Sequence, residues 1–342
     1  MELGDAVKQK IGIIGCGWIS NFYAKVLPGF ADRIQVAWVA DPEREKAEAL
    51  AAKTGAKPFD DYRDGLGEVD AVFILVPHHL PHPITLDCLR AGCHVLLEKP
   101  IAISLEEADE MIAAAEAKER TFMVAYPHRY RKSMQLFKQA IDSGRFGRLY
   151  MLDALMDESV QEYTLGWISK KETLGGGVFF SSSPHMLDVM LWIAGDIQAV
   201  SMAGTLAGCD MEGEDTAVSV IKFKSGVVGV TRHLWASPRT RIWYTMNAVC
   251  EKAHITLTTH PLGDLVNEGA DCPWETKIVA IGETEEVLHE SDEGLDVAPE
   301  ISHFLDCIET GSPPQTDGRT ARKIIELVTL AYQDAEAKGA NG

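Results

Sequence analysis

The sequence predicts an α/β protein: a doubly wound parallel sheet at the N-terminus, then an α+β domain built on a large open, mostly antiparallel sheet. Two observations carry this. The first 127 residues alternate short, continuously apolar runs with helical patterns: IGIIG from Ile11, IQVAWVAD from Ile34, AVFILVP from Ala71, HVLLE from His94 and TFMVAY from Thr121. Strands apolar on both faces belong in a sheet covered by helices, which is the parallel arrangement. After that point the runs lengthen and follow one another through short turns, as in DTAVSVIKF, VVGVTRHLWA and AHITLTT, the pattern of an antiparallel sheet with one face available. The expected division is 1–127 and 128–342, with the C-terminal helices packing back on the first domain.

The helices between the early runs are readable from their signals. Residues 42–53 and 104–118 are rich in Ala, Glu and Lys with apolar spacings of three and four, Ser104 stands as an N-cap, and the helix from Pro83 stops at Gly92. Further on, helices are expected from Arg131 to Ser143, from Pro184 to Ala194, over EISHFLDCIETG and from Gly318 to Lys338. The acidic run Glu283–Glu300 reads as a solvated loop or sheet edge.

Composition narrows the function. With 32 basic against 51 acidic residues the formal charge is -19, which repels nucleic acid in the absence of a basic cluster. No apolar stretch is long enough to span a bilayer and the start, MELGDAVKQK, lacks the apolar centre of a signal peptide, so a cytoplasmic protein without membrane contact is expected. Seven cysteines without CxxC or Cys/His spacing point to a reducing compartment, with no disulfide framework and no metal.

The chemistry begins at Gly15-Cys16-Gly17-Trp18-Ile19-Ser20, between the first strand and the first helix. A tight turn at Gly15, backbone open to a pyrophosphate at Gly17 and a small residue at position 20 are what dinucleotide binding by a Rossmann fold requires. Asp41, ending the second strand, is placed to accept from the adenine ribose hydroxyls, which favours NAD over NADP; Arg44 is near enough to leave the second cofactor open. The alternative is a plain glycine turn with Asp41 capping the next helix. His78, His79 and His82 lie among Pro77, Pro81 and Pro83 with no carboxylate or cysteine in pattern, so the segment from Val76 reads as a loop lining the cofactor crevice rather than a metal site. Glu98-Lys99-Pro100 closes a buried strand, and ligands of open α/β sheets bind beyond the carboxyl ends of the strands. Lys99 is therefore expected to face the ligand, and Glu98 to hold backbone beside it.

GCGWIS, Ala40-Asp41, Val76–His82, EKP and GGGVFFSSSPHMLD together, in this order, resemble the glucose-fructose oxidoreductase/inositol dehydrogenase/MocA (Gfo/Idh/MocA) family over nearly the whole chain. The resemblance implies an NAD(P)-dependent oxidoreductase acting on sugars, cyclitols or their derivatives, often as a homo-oligomer (dimer or tetramer). Lys99 matches the lysine that contacts the reacting oxygen and His185 the histidine used as acid/base. Tyr126 and Arg129 match a pocket-lining region. At position 181 relatives resembling inositol dehydrogenase carry aspartate where this chain has Ser181, which offers a neutral hydrogen bond to substrate instead. Neutral His185 can take the hydroxyl proton while protonated Lys99 stabilises the oxyanion, or the roles reverse if Lys99 is desolvated. Trp167, Tyr163, His233 and Trp235 either stack on a sugar or fill the core. Alternatives are a dehydrogenase of a non-sugar cyclic alcohol or dihydrodiol, and a non-redox enzyme using bound NAD transiently.

Overall fold

The computed structural model describes residues 8–237, 243–263, 272–294 and 296–340 and divides into two compact units, one of the described residues up to Tyr126 with Val297–Arg322, the other of Pro127–Asp296 with the residues from Lys323.

In the first unit, β1 (Gln9–Ile14), α1 (Ser20–Val26), β2 (Ile34–Ala40), α2 (Arg44–Thr54), β3 (Lys57–Phe59), β4 (Ala71–Ile74), α3 (Pro81–Arg90), β5 (His94–Glu98), α4 (Leu105–Ala117) and β6 (Phe122–Ala125) form a six-stranded sheet in the order β3-β2-β1-β4-β5-β6, with parallel pairs throughout. The order reverses direction between β1 and β4, the switch point of a doubly wound sheet. Ile11, Ile13, Val72, Phe73, Val95 and Leu97 are wholly buried, as two-sided cover by helices demands. The hydroxyl oxygen of Ser104 accepts from the Glu107 N–H at 3.2 Å, fixing the start of α4 as the sequence indicates.

The second unit holds α5 (Pro127–Tyr130), α6 (Lys132–Asp142), β7 (Leu149–Asp157), α7 (Lys171–Leu174), α8 (Val178–Ser181), α9 (Ser183–Ala194), β8 (Ile197–Thr205), β9 (Thr216–Phe223), β10 (Val228–Leu234), β11 (Trp243–Cys250), β12 (His254–Pro261), β13 (Trp274–Ile281) and β14 (Glu285–Ser291). Its eight strands run β14-β13-β12-β11-β7-β10-β9-β8, all antiparallel except the parallel pair β7–β10. Strict alternation on β9, with Ala217, Ser219 and Ile221 buried while Val218 and Val220 are exposed, shows one covered and one open face. The acidic run is in part an edge strand, β14, whose exposed glutamates discourage further pairing, but Glu300 at its end is wholly buried in a helix, against the expectation of a solvated run. The chain closes with α10 (Ala298–Thr310) and α11 (Gly318–Lys338). None of the described helices is long and apolar enough to cross a membrane.

Candidate active site

The positions expected to face a ligand in the first unit all follow the carboxyl ends of strands in its sheet. The Gly15 loop follows β1, Asp41 follows β2, Val76 to His79 follow β4, and Lys99 follows β5. Gly15 has φ +93°, and a Cβ there would lie 2.2 Å from the Leu75 carbonyl oxygen, so only glycine makes this turn. At Gly17 a Cβ would meet nothing within 4 Å, so the backbone there is open, as the expected pyrophosphate contact requires. The Ser20 hydroxyl donates to the Gly17 carbonyl at 2.6 Å, so serine serves at this position by closing the loop on itself. Gly15→Ala is expected to weaken NAD binding at least tenfold, a loss of about 1.4 kcal/mol that calorimetric titration reads directly.

Asp41 ties the loop together. One carboxylate oxygen accepts the Cys16 N–H at 2.9 Å and the other the Glu43 N–H at 2.9 Å. Both oxygens keep lone pairs for ribose hydroxyls. Arg44, the residue that left NADP open, is engaged by Glu48 at 2.8 Å and Asp60 at 3.2 Å. The Cys16 thiol is pushed up to about 12 by burial, with Asp41 adding to the effect, so it stays a neutral packing group.

At the other strand ends, His78 is buried, His79 and Pro77 are partly exposed, and His82 in the first turn of α3 bonds Glu110 at 2.9 Å. No cluster of metal-ligating side chains occurs among the described residues. Lys99 is half-buried, and its backbone N–H donates to Glu98 Oε2 at 3.2 Å. Trp18 is half exposed and packs edge-on to Phe22, with ring centroids 4.8 Å apart.

In the second unit the Gly175–Gly177 turn sets up the helices that carry Ser181 and His185. A Cβ on Gly177 would fall 2.2 Å from the Glu214 carbonyl oxygen, so the turn works by pressing bare backbone against the 213–214 segment. The Tyr332 hydroxyl accepts the Gly177 N–H at 3.0 Å and donates to Glu214 at 2.7 Å, while the Phe179 N–H donates to the same carboxylate at 3.1 Å. Burial pushes the Glu214 carboxyl up and these bonds oppose it.

His185 lies in the first turn of α9, its N–H donating to the Ser182 carbonyl at 3.3 Å and its ring edge-on to His128 at 5.3 Å. His128 in turn meets Tyr244 at 5.1 Å. Ser181 is 8 % exposed, and beside it the Ser182 hydroxyl donates to Glu158 at 3.0 Å. The Trp235 indole N–H reaches both Glu158 and Ser182 at 2.9 Å, which makes Trp235 a framework residue rather than an open sugar platform. Asp188 is wholly buried and receives two bonds from the Arg129 guanidinium, one of 3.0 Å and one of 2.5 Å. Arg129 thus holds α5 against α9, and Tyr126 is at 0 % exposure; both residues expected to line a pocket are buried. Trp167 is partly exposed, its carbonyl oxygen accepting from the Thr173 hydroxyl at 2.6 Å. His128, Tyr244 and Glu158 carried no motif signal, since the contacts that place them join separate helices and strands far apart in the chain.

His233 on β10 belongs to the core: it is wholly buried, neither ring nitrogen has a hydrogen-bond partner, and Phe179 lies 6.1 Å away edge-on. Burial brings its pKa down to about 3. Because the folded value lies below the unfolded one, its contribution is fully present above pH 6.5 and is lost as pH falls toward 3, at about 1.4 kcal/mol per unit. His233→Leu is expected to flatten the stability loss between pH 6 and 4 by close to one proton's worth, measured as the slope of unfolding free energy against pH.

The chain is similar to known proteins over most of its length. A family model described as "Oxidoreductase family, NAD-binding Rossmann fold" matches residues 9–126, and one described as "GFO/IDH/MocA C-terminal domain" matches residues 134–256. The myo-inositol 2-dehydrogenase of Thermotoga maritima is 26 % identical over 230 residues, 65 % of this chain and 67 % of that protein. The D-glucoside 3-dehydrogenase of Escherichia coli is 27 % identical over 236 residues, 64 % of this chain and 67 % of that protein. Among solved structures, the WlbA dehydrogenase from Bordetella pertussis in complex with NADH and UDP-GlcNAcA superposes with a TM-score of 0.81 at 25 % identity, covering 97 % of this chain and 98 % of that one. The paired domain matches, the glycine loop and the strand-end lysine together establish that this chain belongs to the Gfo/Idh/MocA family of NAD(P)-dependent oxidoreductases.

Proposed function

We propose that the protein is a dehydrogenase of a sugar, cyclitol or related polyol, taking hydride from a secondary carbinol carbon. The observation that carries this is the convergence of the Gly15 loop, Asp41 and Lys99 on the carboxyl edge of one parallel sheet. Bound NAD supplies the two-electron acceptor. The Gly15–Ser20 loop holds the pyrophosphate and Asp41 the adenine ribose, with Val76, Pro77, His79, His82 and Glu98 lining the same edge. Lys99, as an ammonium, stabilises the oxygen on which negative charge grows, and His185 accepts the hydroxyl proton, so alcohol becomes ketone while one proton is released. Residues 8–126 serve the cofactor and the segment from 128 the substrate. Ser181 and Trp167 contact the sugar; Arg129 positions α9 through Asp188.

The names of relatives acting on inositol and on a glucoside support a ring substrate rich in hydroxyls. Mixing the protein with NAD or NADP and a panel of cyclitols, aldoses, aldonates, glycosides and dihydrodiols, with reduced nicotinamide followed by absorbance, tests the reading. Faster reduction of NAD than of NADP with one hydroxylated ring class is expected; silence across the panel with NAD bound would overturn it. The open sheet face, with Val218, Val220 and Trp243 exposed, supports self-association into a dimer or tetramer, read by analytical ultracentrifugation.

A further inference from the structure

Two carboxylates flank a single phenol next to Lys99. Tyr23, on α1 and wholly buried, has its hydroxyl oxygen 3.1 Å from Glu98 Oε1 and 3.2 Å from Glu300 Oε1. Glu300, in the first turn of α10, is also wholly buried. β5 contributes Glu98 and, directly after it, Lys99; β4 closes the cluster with Phe73, 5.7 Å from the Tyr23 ring, and α10 with Phe304, 6.0 Å from Phe73.

A phenol has one hydrogen to donate. Two ionised carboxylates cannot both receive it, and two negative charges held against one phenol, with Glu300 wholly buried and Glu98 half-buried, repel. The arrangement is satisfied when one carboxyl keeps a proton and donates it to the tyrosine oxygen, while tyrosine donates to the other. We propose that Glu98, Tyr23 and Glu300 share a single carboxyl proton at neutral pH and, by placing it on Glu98 or on Glu300, set the charge beside Lys99. The exchange balances: Glu300 gives its proton to the Tyr23 oxygen as Tyr23 passes its own to Glu98, and the negative charge moves from Glu98 to Glu300. With Glu98 ionised, Lys99 is held as the ammonium; with Glu98 neutral, that attraction is gone. Burial pushes the Glu98 carboxyl up, against the pull of Lys99, and burial keeps Tyr23 a neutral phenol. Glu98, Tyr23 and Glu300 are positioning residues acting through Lys99, and the kinetic part of the inference rests on the role of Lys99 proposed above.

Infrared spectroscopy of the intact protein with carbon-13-labelled glutamate tests it. The carbonyl stretch of a protonated glutamic acid is expected to persist at pH 8 and to vanish in Glu300→Gln. In that variant Glu98 stays ionised, so the limb of the kcat/KM profile belonging to Lys99 moves to higher pH by roughly one unit. Absence of the acid band in the unsubstituted protein, or an E300Q pH profile that overlays it, would overturn the proposal. Tyr23→Phe serves if E300Q does not fold: it retains both carboxyls and is expected to move the acid band to the frequency of a carboxylic acid without the phenol bond, whereas an unmoved band counts against the triad. Lys99→Met separates the two readings, because the band remains even if Lys99 proves to have no part in turnover.

Discussion

Lys99→Met is expected to lower kcat/KM by about 10²–10⁴-fold while leaving NAD affinity and the unfolding midpoint close to those of the parent. The substitution keeps the length of the side chain and removes its charge. Lys99 stands just past the end of β5, half-buried, so in the role proposed for it removing the charge affects the developing oxyanion more than the packing. Steady-state kinetics with the responding substrate, alongside calorimetric NAD binding, measures both quantities. A lysine that only snorkelled to the surface would leave kcat/KM unchanged.

Breaking the Arg129–Asp188 pair should produce the largest stability change. Both side chains are buried, at 7 % and 0 % exposure, and the guanidinium also lies 5.4 Å from the Trp192 ring. Arg129→Met leaves a carboxylate in the core without its counter-charge, a loss of about 3–5 kcal/mol, read as a lowered midpoint in urea. Burial already pushes the Asp188 carboxyl up and Arg129 pulls it down, so removing the arginine raises it further. The unpaired carboxyl then binds a proton more readily folded than unfolded. Its penalty is therefore greatest near neutral pH and shrinks as pH falls toward 4. Arg129→Met combined with Asp188→Leu is expected to recover most of the stability, since the cost lies in the unpaired charge. His185 sits one turn before Asp188 on α9, so the single variant should also lose turnover before it unfolds.

The parallel half of the molecule was legible because its signals are local. The buried strands are mostly apolar runs, Gly15 marks a turn only glycine can make, and Ser104 caps α4 from three residues away. The GGG turn was legible as a motif, although its physical reason, backbone pressed on the 213–214 segment, appears only in three dimensions. Strands β3 and β13 carry weak patterns: Lys57–Phe59 is three residues long, and Trp274–Ile281 mixes Glu, Thr and Lys with its apolar positions. β14 is an edge strand whose backbone pairs with β13 while its glutamates stay in water, so hydropathy alone makes it resemble a loop. Arg129 and Tyr126 sit where a pocket-lining segment was expected, and both are buried. The Glu158–Ser182–Trp235 cluster and the Tyr23–Glu300 contact join residues up to 277 positions apart, a separation that no motif spans.

The most direct measurement uses the sugar or cyclitol that responds in the panel, made with deuterium on its reacting carbinol carbon and incubated with the protein and NAD. The account predicts one deuterium per turnover at nicotinamide C4, accumulating in step with the ketone. Product formed with no deuterium on the nicotinamide and no net NADH would contradict it and establish chemistry in which the cofactor is not consumed.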